Sequence, residues 1–357
     1  TAGGADGPLI GGALLEHYWW GSVILINIPV VVLIVIFGSL LIPESRNPVS
    51  ARLDLISAAL SVLAIVPLVY AVNHTVGTGF DASTLVAAGI GLIAGWVFVR
   101  RQRGLAEPMV DVTLFRIPAF GGAVLVNLLS IFGFFGVLFF FSQYLQLVRG
   151  FSPLIAGLAE LPATLASLAV IALVGVLLAR FGAGRSIALA MFVSAVGLAA
   201  VAIAANEPSF LALGIALAIV GLGTGISMTL ATDAIVSSVP TARSGAASSV
   251  SEMAYELGIA LGIAVLGSLQ TALYRADLTF PAGTDAGIRA SVTDSLSSAS
   301  HVAGLDPAIL LQAQASFTHA LQLTSFVAAA VLVVAGVVAW RAIPSPLIPK
   351  GTVVDTH

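Results

Sequence analysis

From Trp20 to Leu41 the chain reads W-G-S-V-I-L-I-N-I-P-V-V-V-L-I-V-I-F-G-S-L-L, twenty-two residues without a charge. As an α-helix this run rises about 33 Å, close to the ~30 Å depth of a bilayer's hydrocarbon core. Runs of this length recur along the whole sequence. They predict spans at about 19–42, 54–72, 84–100, 119–145, 153–179, 186–205, 209–231, 245–273 and 317–340. The tail of a tenth span ends near Leu15. A β-barrel is excluded, because its strands would be shorter and would alternate in polarity. With 9% charged residues among 357, the chain has too little charge to clothe a soluble surface. It has no cysteine, hence no disulfide framework and no thiolate metal site.

Arginine and lysine set the expected orientation. Arg46, Arg52, Arg100, Arg101, Arg103, Arg116, Arg180, Arg185, Arg243, Arg341 and Lys350 fall on one side of the alternating spans. Only Arg149, Arg275 and Arg289 fall on the other. The first side is therefore expected to be cytoplasmic, with the C-terminus inside. The Ser-rich stretch 274–316 is then an outer loop, expected to be partly helical and partly mobile.

A charge inside a span is costly and usually functional. Glu252 and Glu256 lie i, i+4 within the span 245–273, so both project from one helix face. Such a pair can hold protons or a lipophilic cation, and one site that exchanges the two is the logic of an antiporter. The competing structural role is that Glu252, near a span end, extends to water. Glu160 sits about two turns into the span 153–179. Asp233 ends the span 209–231, where it lines a mouth or caps the next segment. Gln143 and Tyr144 are polar within an aromatic run, residues 132–144, whose rings could hold flat cations. Tyr255 neighbours the acidic pair but points off its face. Trp19 and Trp20 resemble an interfacial belt. No P-loop, hydrolytic triad, metal-ligand spacing or nucleic-acid surface is visible in the sequence.

Several stretches resemble one transporter family. Gly3, Gly7, Pro8, Gly11 and Gly12 resemble the second half of the antiporter motif in the fifth helix of major facilitator drug exporters. Trp20–Pro29, E-P-M-V-D-V-T-L-F-R (107–116) and S-Q-Y-L-Q-L-V-R-G-F-S-P-L-I-A-G-L (142–158) resemble segments of its fourteen-span branch. R-F-G-A-G-R (180–185) is similar to a reduced loop motif, which implies gate contacts for Arg180 and Arg185. Glu252–Gly267 resembles the thirteenth helix of QacA-like quaternary-ammonium exporters.

The resemblance implies an all-α major facilitator fold, with the spans as helices six to fourteen, the tail as part of helix five, and helices one to four absent from this sequence. Residues 1–42 would end the N-terminal bundle, 43–118 would hold the extra helix pair and its links, 119–341 would form the C-terminal bundle, and 342–357 a cytoplasmic tail. It further implies a monomer in the bacterial cytoplasmic membrane that is not an enzyme and needs no cofactor. The proton motive force would drive efflux of amphipathic, often cationic drugs. Export of an endogenous lipid, siderophore or antibiotic, or a non-transporting membrane fragment, are the alternatives. Where the family carries a further acid in helix ten, this chain has the uncharged Ser167. Glu160 would replace that acid, or else face water at the outer rim. The glycine motif would seal the inward-open state.

Overall fold

The computed structural model describes residues 2–41, 54–105, 108–302 and 304–345, and those residues form helices and turns without a strand. Arg46, Arg52, Lys350 and the tail from residue 346 lie outside the described residues, and of Gly3, Gly7 and Pro8 only the helical backbone is described.

Helix α1 (Ala2–His17) is followed by a short α2 (Ser22–Leu25) and α3 (Asn27–Leu41). The first expected full span is thus interrupted at Ile26. The extra pair is α4 (Leu55–Thr78) and α5 (Ala82–Gly104). Then come α6 (Pro118–Leu147), α7 (Pro153–Phe181), α8 (Ala183–Ala204), α9 (Phe210–Ser237), α10 (Ser244–Asp277) and, after two short helices, α13 (Pro307–Ala342). Among the described residues nine helical stretches are long and apolar enough to cross a membrane.

Local chemistry sets the boundaries. Asp54 caps α4 by accepting from the Ser57 N–H at 3.1 Å, and Asp81 caps α5 by accepting from the Thr84 N–H at 2.9 Å. Helices α6, α7 and α13 open on proline, which loses nothing at a first turn. The expected boundary at 317 is corrected by this rule. Asp306 caps α13 and Pro307 starts it, so the helix rises three turns before its apolar part begins.

The stretch 274–316 is likewise built. It carries α11 (Ala286–Asp294) and α12 (Leu296–Ser300), and Val292, Leu296 and Ala299 are buried. The Tyr274 hydroxyl donates to the Val292 carbonyl at 2.8 Å, and Gln314 Nε2 donates to the Leu147 carbonyl at 2.8 Å.

The six helices α6–α10 and α13 make one core. It is filled by Phe120, Phe141, Ile187, Met191, Leu213, Leu230 and Leu266. By contrast, no residue of α2 or α3 is buried. The extra pair is bound to this core at both ends. At the arginine-rich end Arg101 grips Asp54 through two nitrogens, at 3.0 and 3.3 Å. Gln102 donates to Ser57 at 2.7 Å and accepts from the Val110 N–H at 3.1 Å. Arg243, at the start of α10, pairs with Asp111 of the link at 2.8 Å. The Arg101 guanidinium holds the Asp54 carboxyl well below the usual carboxylate range. The Thr113 hydroxyl, and less strongly Arg243, do the same for Asp111. At the opposite end the Ser268 hydroxyl of α10 donates to Asn73 of α4 at 2.8 Å.

Candidate functional site

Four helices of the core, α6, α7, α9 and α10, line a cavity of about 200 Å³. Helix α7 supplies Glu160, Thr164 and Ser167, whose i, i+4, i+7 spacing places them on one face. Helix α9 supplies Gly221, Thr224, Gly225 and Met228 with the same periodicity. Helix α6 gives Phe134, Phe135 and Leu138, and α10 gives Tyr255.

The two glycines of α9 define one wall. A Cβ added at Gly221 would lie 1.9 Å from the Ala163 carbonyl oxygen, and one at Gly225 would lie 3.0 Å from Ser167 Cα. Backbone therefore meets backbone where α7 and α9 touch, a packing mode common between membrane helices. The opposite wall is aromatic. The Phe134 and Phe135 rings meet edge to face at 5.1 Å, and Phe135 meets Tyr255 in the same way at 6.0 Å.

Glu160 is the charged group of this cavity. It is 8% exposed, and its Oε1 has no hydrogen-bond partner. Ser142 of α6 is its polar neighbour. An ionised carboxylate in such a place costs several kcal/mol unless a proton or a cation meets it. The arrangement is a receptor for positive charge, with rings on one side that favour a flat, delocalised cation.

The other residues singled out in the sequence are placed as follows. Glu252 and Glu256 share one exposed face of α10 and do not line the cavity, whereas Tyr255 between them does. Tyr144 is 1% exposed and is a strut, not a wall: its hydroxyl donates to the Ala205 carbonyl at 2.6 Å. Gln143 is half-buried outside the lining. Asp233 is exposed inside α9, which runs on to Ser237. It therefore does not end its helix, and α10 begins without a side-chain cap.

Gly12 is buried where α1 meets α7. A Cβ there would stand 2.8 Å from the Pro153 carbonyl oxygen, while one at Gly11 would touch Val23 at 3.8 Å. Arg180 and Arg185 are exposed. Arg180 lies 5.7 Å over the Phe181 ring, and the Arg185 N–H donates to Ser345 Oγ at 3.0 Å. The turn between α7 and α8 needs Gly182 at φ 74°, with Ser345 pressed against it.

Sequence reasoning did not single out Thr164, Gly221, Thr224, Gly225 and Met228 as cavity walls. Their signal was the helical period counted forward from Glu160 and along G-L-G-T-G. A larger groove of 610 Å³ lies over α11, lined by Arg275, Arg289 and Asp294, but it is a surface feature outside the bundle.

A profile described as Major Facilitator Superfamily matches residues 1–263. The multidrug efflux pump LfrA of Mycolicibacterium smegmatis is 39% identical over 343 residues, 95% of this chain and 68% of that protein. The methyl viologen resistance protein SmvA of Salmonella typhimurium is 32% identical over 337 residues, 91% of this chain and 67% of the relative. The multidrug resistance protein Stp of Mycobacterium tuberculosis is 29% identical over 367 residues, 99% of this chain and 68% of the relative. With a bundle of apolar helices, a buried acid among them and these relatives, the chain belongs to the Major Facilitator Superfamily.

Proposed function

We propose that the chain exports amphipathic, often cationic compounds across a bacterial cytoplasmic membrane in exchange for protons, as a monomer and without a cofactor. The observation that carries this reading is Glu160, buried with its Oε1 unpartnered in a cavity walled by Phe134, Phe135 and Tyr255. One carboxyl that cannot hold a proton and a cation together couples the two flows. A proton arriving from outside displaces the drug, and release of that proton to the cytoplasm readies the site for the next. The names of LfrA, SmvA and Stp, which speak of efflux or resistance, agree with this reading.

Glu252 and Glu256 have a different task in this scheme. They stand two to three turns from the arginine-rich end of α10, exposed on its face. There they concentrate cations near the Tyr255 edge of the cavity. The arginine-rich end is the cytoplasmic one by the charge rule. On that assignment the drug enters past the acidic pair, and Glu160, about two turns from the other end of α7, is the deeper station.

The test is efflux of a fluorescent lipophilic cation from energised cells expressing the chain. Efflux that a protonophore abolishes and that Glu160→Gln reduces at least tenfold, at equal membrane abundance, supports the reading. Efflux unchanged in Glu160→Gln removes the carboxyl from the mechanism, and efflux indifferent to the protonophore removes the proton.

A further inference from the structure

We propose that Tyr255, with Phe135, is the specificity-determining element of the cavity: the two rings and the glycine wall form a slot that admits flat cations to Glu160 and holds back tetrahedral ones. The inference deepens the function proposed above and rests on it.

The shape of the cavity comes first. Its aromatic wall is continuous, because Phe134, Phe135 and Tyr255 meet edge to face in succession. Its α7–α9 wall is fixed in place, because the two helices already touch at Gly221 and Gly225. The space has a volume of about 200 Å³. A dry cavity of about 150 Å³ holds a benzene ring. A space of this volume suits a fused planar ring system and is too small for four rings set tetrahedrally about one atom.

Charge placement points the same way. Tyr255 stands between two acidic stations. Glu256 and Glu252, on its own helix, are its charged neighbours on the exposed side, while Glu160 of α7 shares its cavity. The Tyr255 hydroxyl has no hydrogen-bond partner among the described residues, unlike that of Tyr144 or Tyr274. Its ring meets Phe135 edge to face, and an aromatic face is where a planar cation gains most. A cation drawn in by the outer pair meets this ring before it reaches the buried carboxyl. A bulky tetrahedral cation would be held at the exposed pair, with Tyr255 as the barrier.

The experiment uses the purified chain in lipid nanodiscs and two monocations, N-methylacridinium as the flat probe and tetraphenylphosphonium as the tetrahedral one. Affinities are read by fluorescence and by equilibrium dialysis. Parent, Tyr255→Phe, Tyr255→Leu and Glu160→Gln are compared, each after a single symmetric elution peak.

The expected result is that Tyr255→Phe stays within about twofold of the parent for both cations. Tyr255→Leu loses about tenfold for N-methylacridinium, the weight of one desolvated cation–π contact, while tetraphenylphosphonium binds as before or tighter. Equal changes for both cations in Tyr255→Leu, or none, overturn the slot. If Glu160→Gln weakens the flat cation and Tyr255→Leu does not, only Tyr255 loses its role. A parent that binds neither cation overturns the cavity as a drug site, and the slot with it.

Discussion

Glu160 on α7 and the pair Glu252 and Glu256 on α10 are carboxylates within membrane-spanning helices, yet their surroundings are opposite. Glu160 is buried among α6, α7, α9 and α10 with one oxygen unpartnered. The pair stands on an exposed face, where each carboxylate can be met without disturbing the packing. A charge on an open face can be met from outside and gains little from a buried ligand. A charge that is orphaned at rest gains most, because the ligand relieves a cost already present. Burial, more than close spacing, is what makes a carboxyl responsive to its partner.

The comparison breaks most readily at the wall behind Glu160. Gly221→Val would drive a side chain into the Ala163 carbonyl. A loss of about 3 kcal/mol or more, seen as a collapsed melting transition in detergent, is expected from such overpacking. Gly245→Val on α10, with nothing within 4 Å of its added Cβ, should leave the melt unchanged. Equal effects would mean that the α7–α9 contact is not tight.

A smaller effect bears on the acids themselves. Glu160→Met removes an orphaned carboxyl and should stabilise the apo chain by about 1–2 kcal/mol while removing cation binding. Glu256→Gln should stay within about 0.5 kcal/mol of the parent, as surface changes do. A Glu160→Met protein that melts no higher than the parent would mean that this carboxyl is not under strain.

The two tyrosines extend the contrast. Tyr144→Phe loses a buried bond to the Ala205 carbonyl and should cost about 1 kcal/mol. Tyr255→Phe, which breaks no hydrogen bond among the described residues, should cost nothing measurable in the same melts.

The smallest expected effect is on pH. Asp54 is a carboxylate with a permanent partner, and Arg101 depresses its folded pKa. A depressed group contributes stability that is present above its unfolded value, near 3.9, and is lost as pH falls through the folded value. Melting temperature should therefore not respond to Asp54 between pH 5 and 8 and should decline only in strong acid. Asp54→Asn should flatten that acid limb, and an unchanged limb would assign it to other carboxylates.

Much of this was legible in the residues. The spans followed from apolar length, whereas the caps Asp54, Asp81 and Asp306, which fix where α4, α5 and α13 begin, emerged only from the structure. The early start of α13 was obscured because its first three turns carry polar residues such as Gln312 and Gln314, which an apolar-run criterion rejects. The cavity was less legible. Tyr144 and Tyr255 are both polar aromatics in apolar helices, and only rotation about the helix axis decides which faces the interior. That rotation is set by neighbours far away in sequence. Gly258 and Gly262 press α10 against Ile131 and Phe132 of α6 and thereby turn Tyr255 toward Phe135. No local pattern around Tyr255 encodes that distant choice.

The unequal walls of the cavity also bear on how such a protein can change. Phe134, Phe135, Leu138 and Tyr255 project side chains into the space, and each can be exchanged for another shape by single substitutions without breaking a backbone contact. Gly221 and Gly225 offer nothing to exchange, because any replacement adds bulk where two helices already touch. New substrate preferences should therefore arise at the lining side chains, while the α7–α9 contact at Gly221 and Gly225 stays a fixed template against which each new ring pattern is tried.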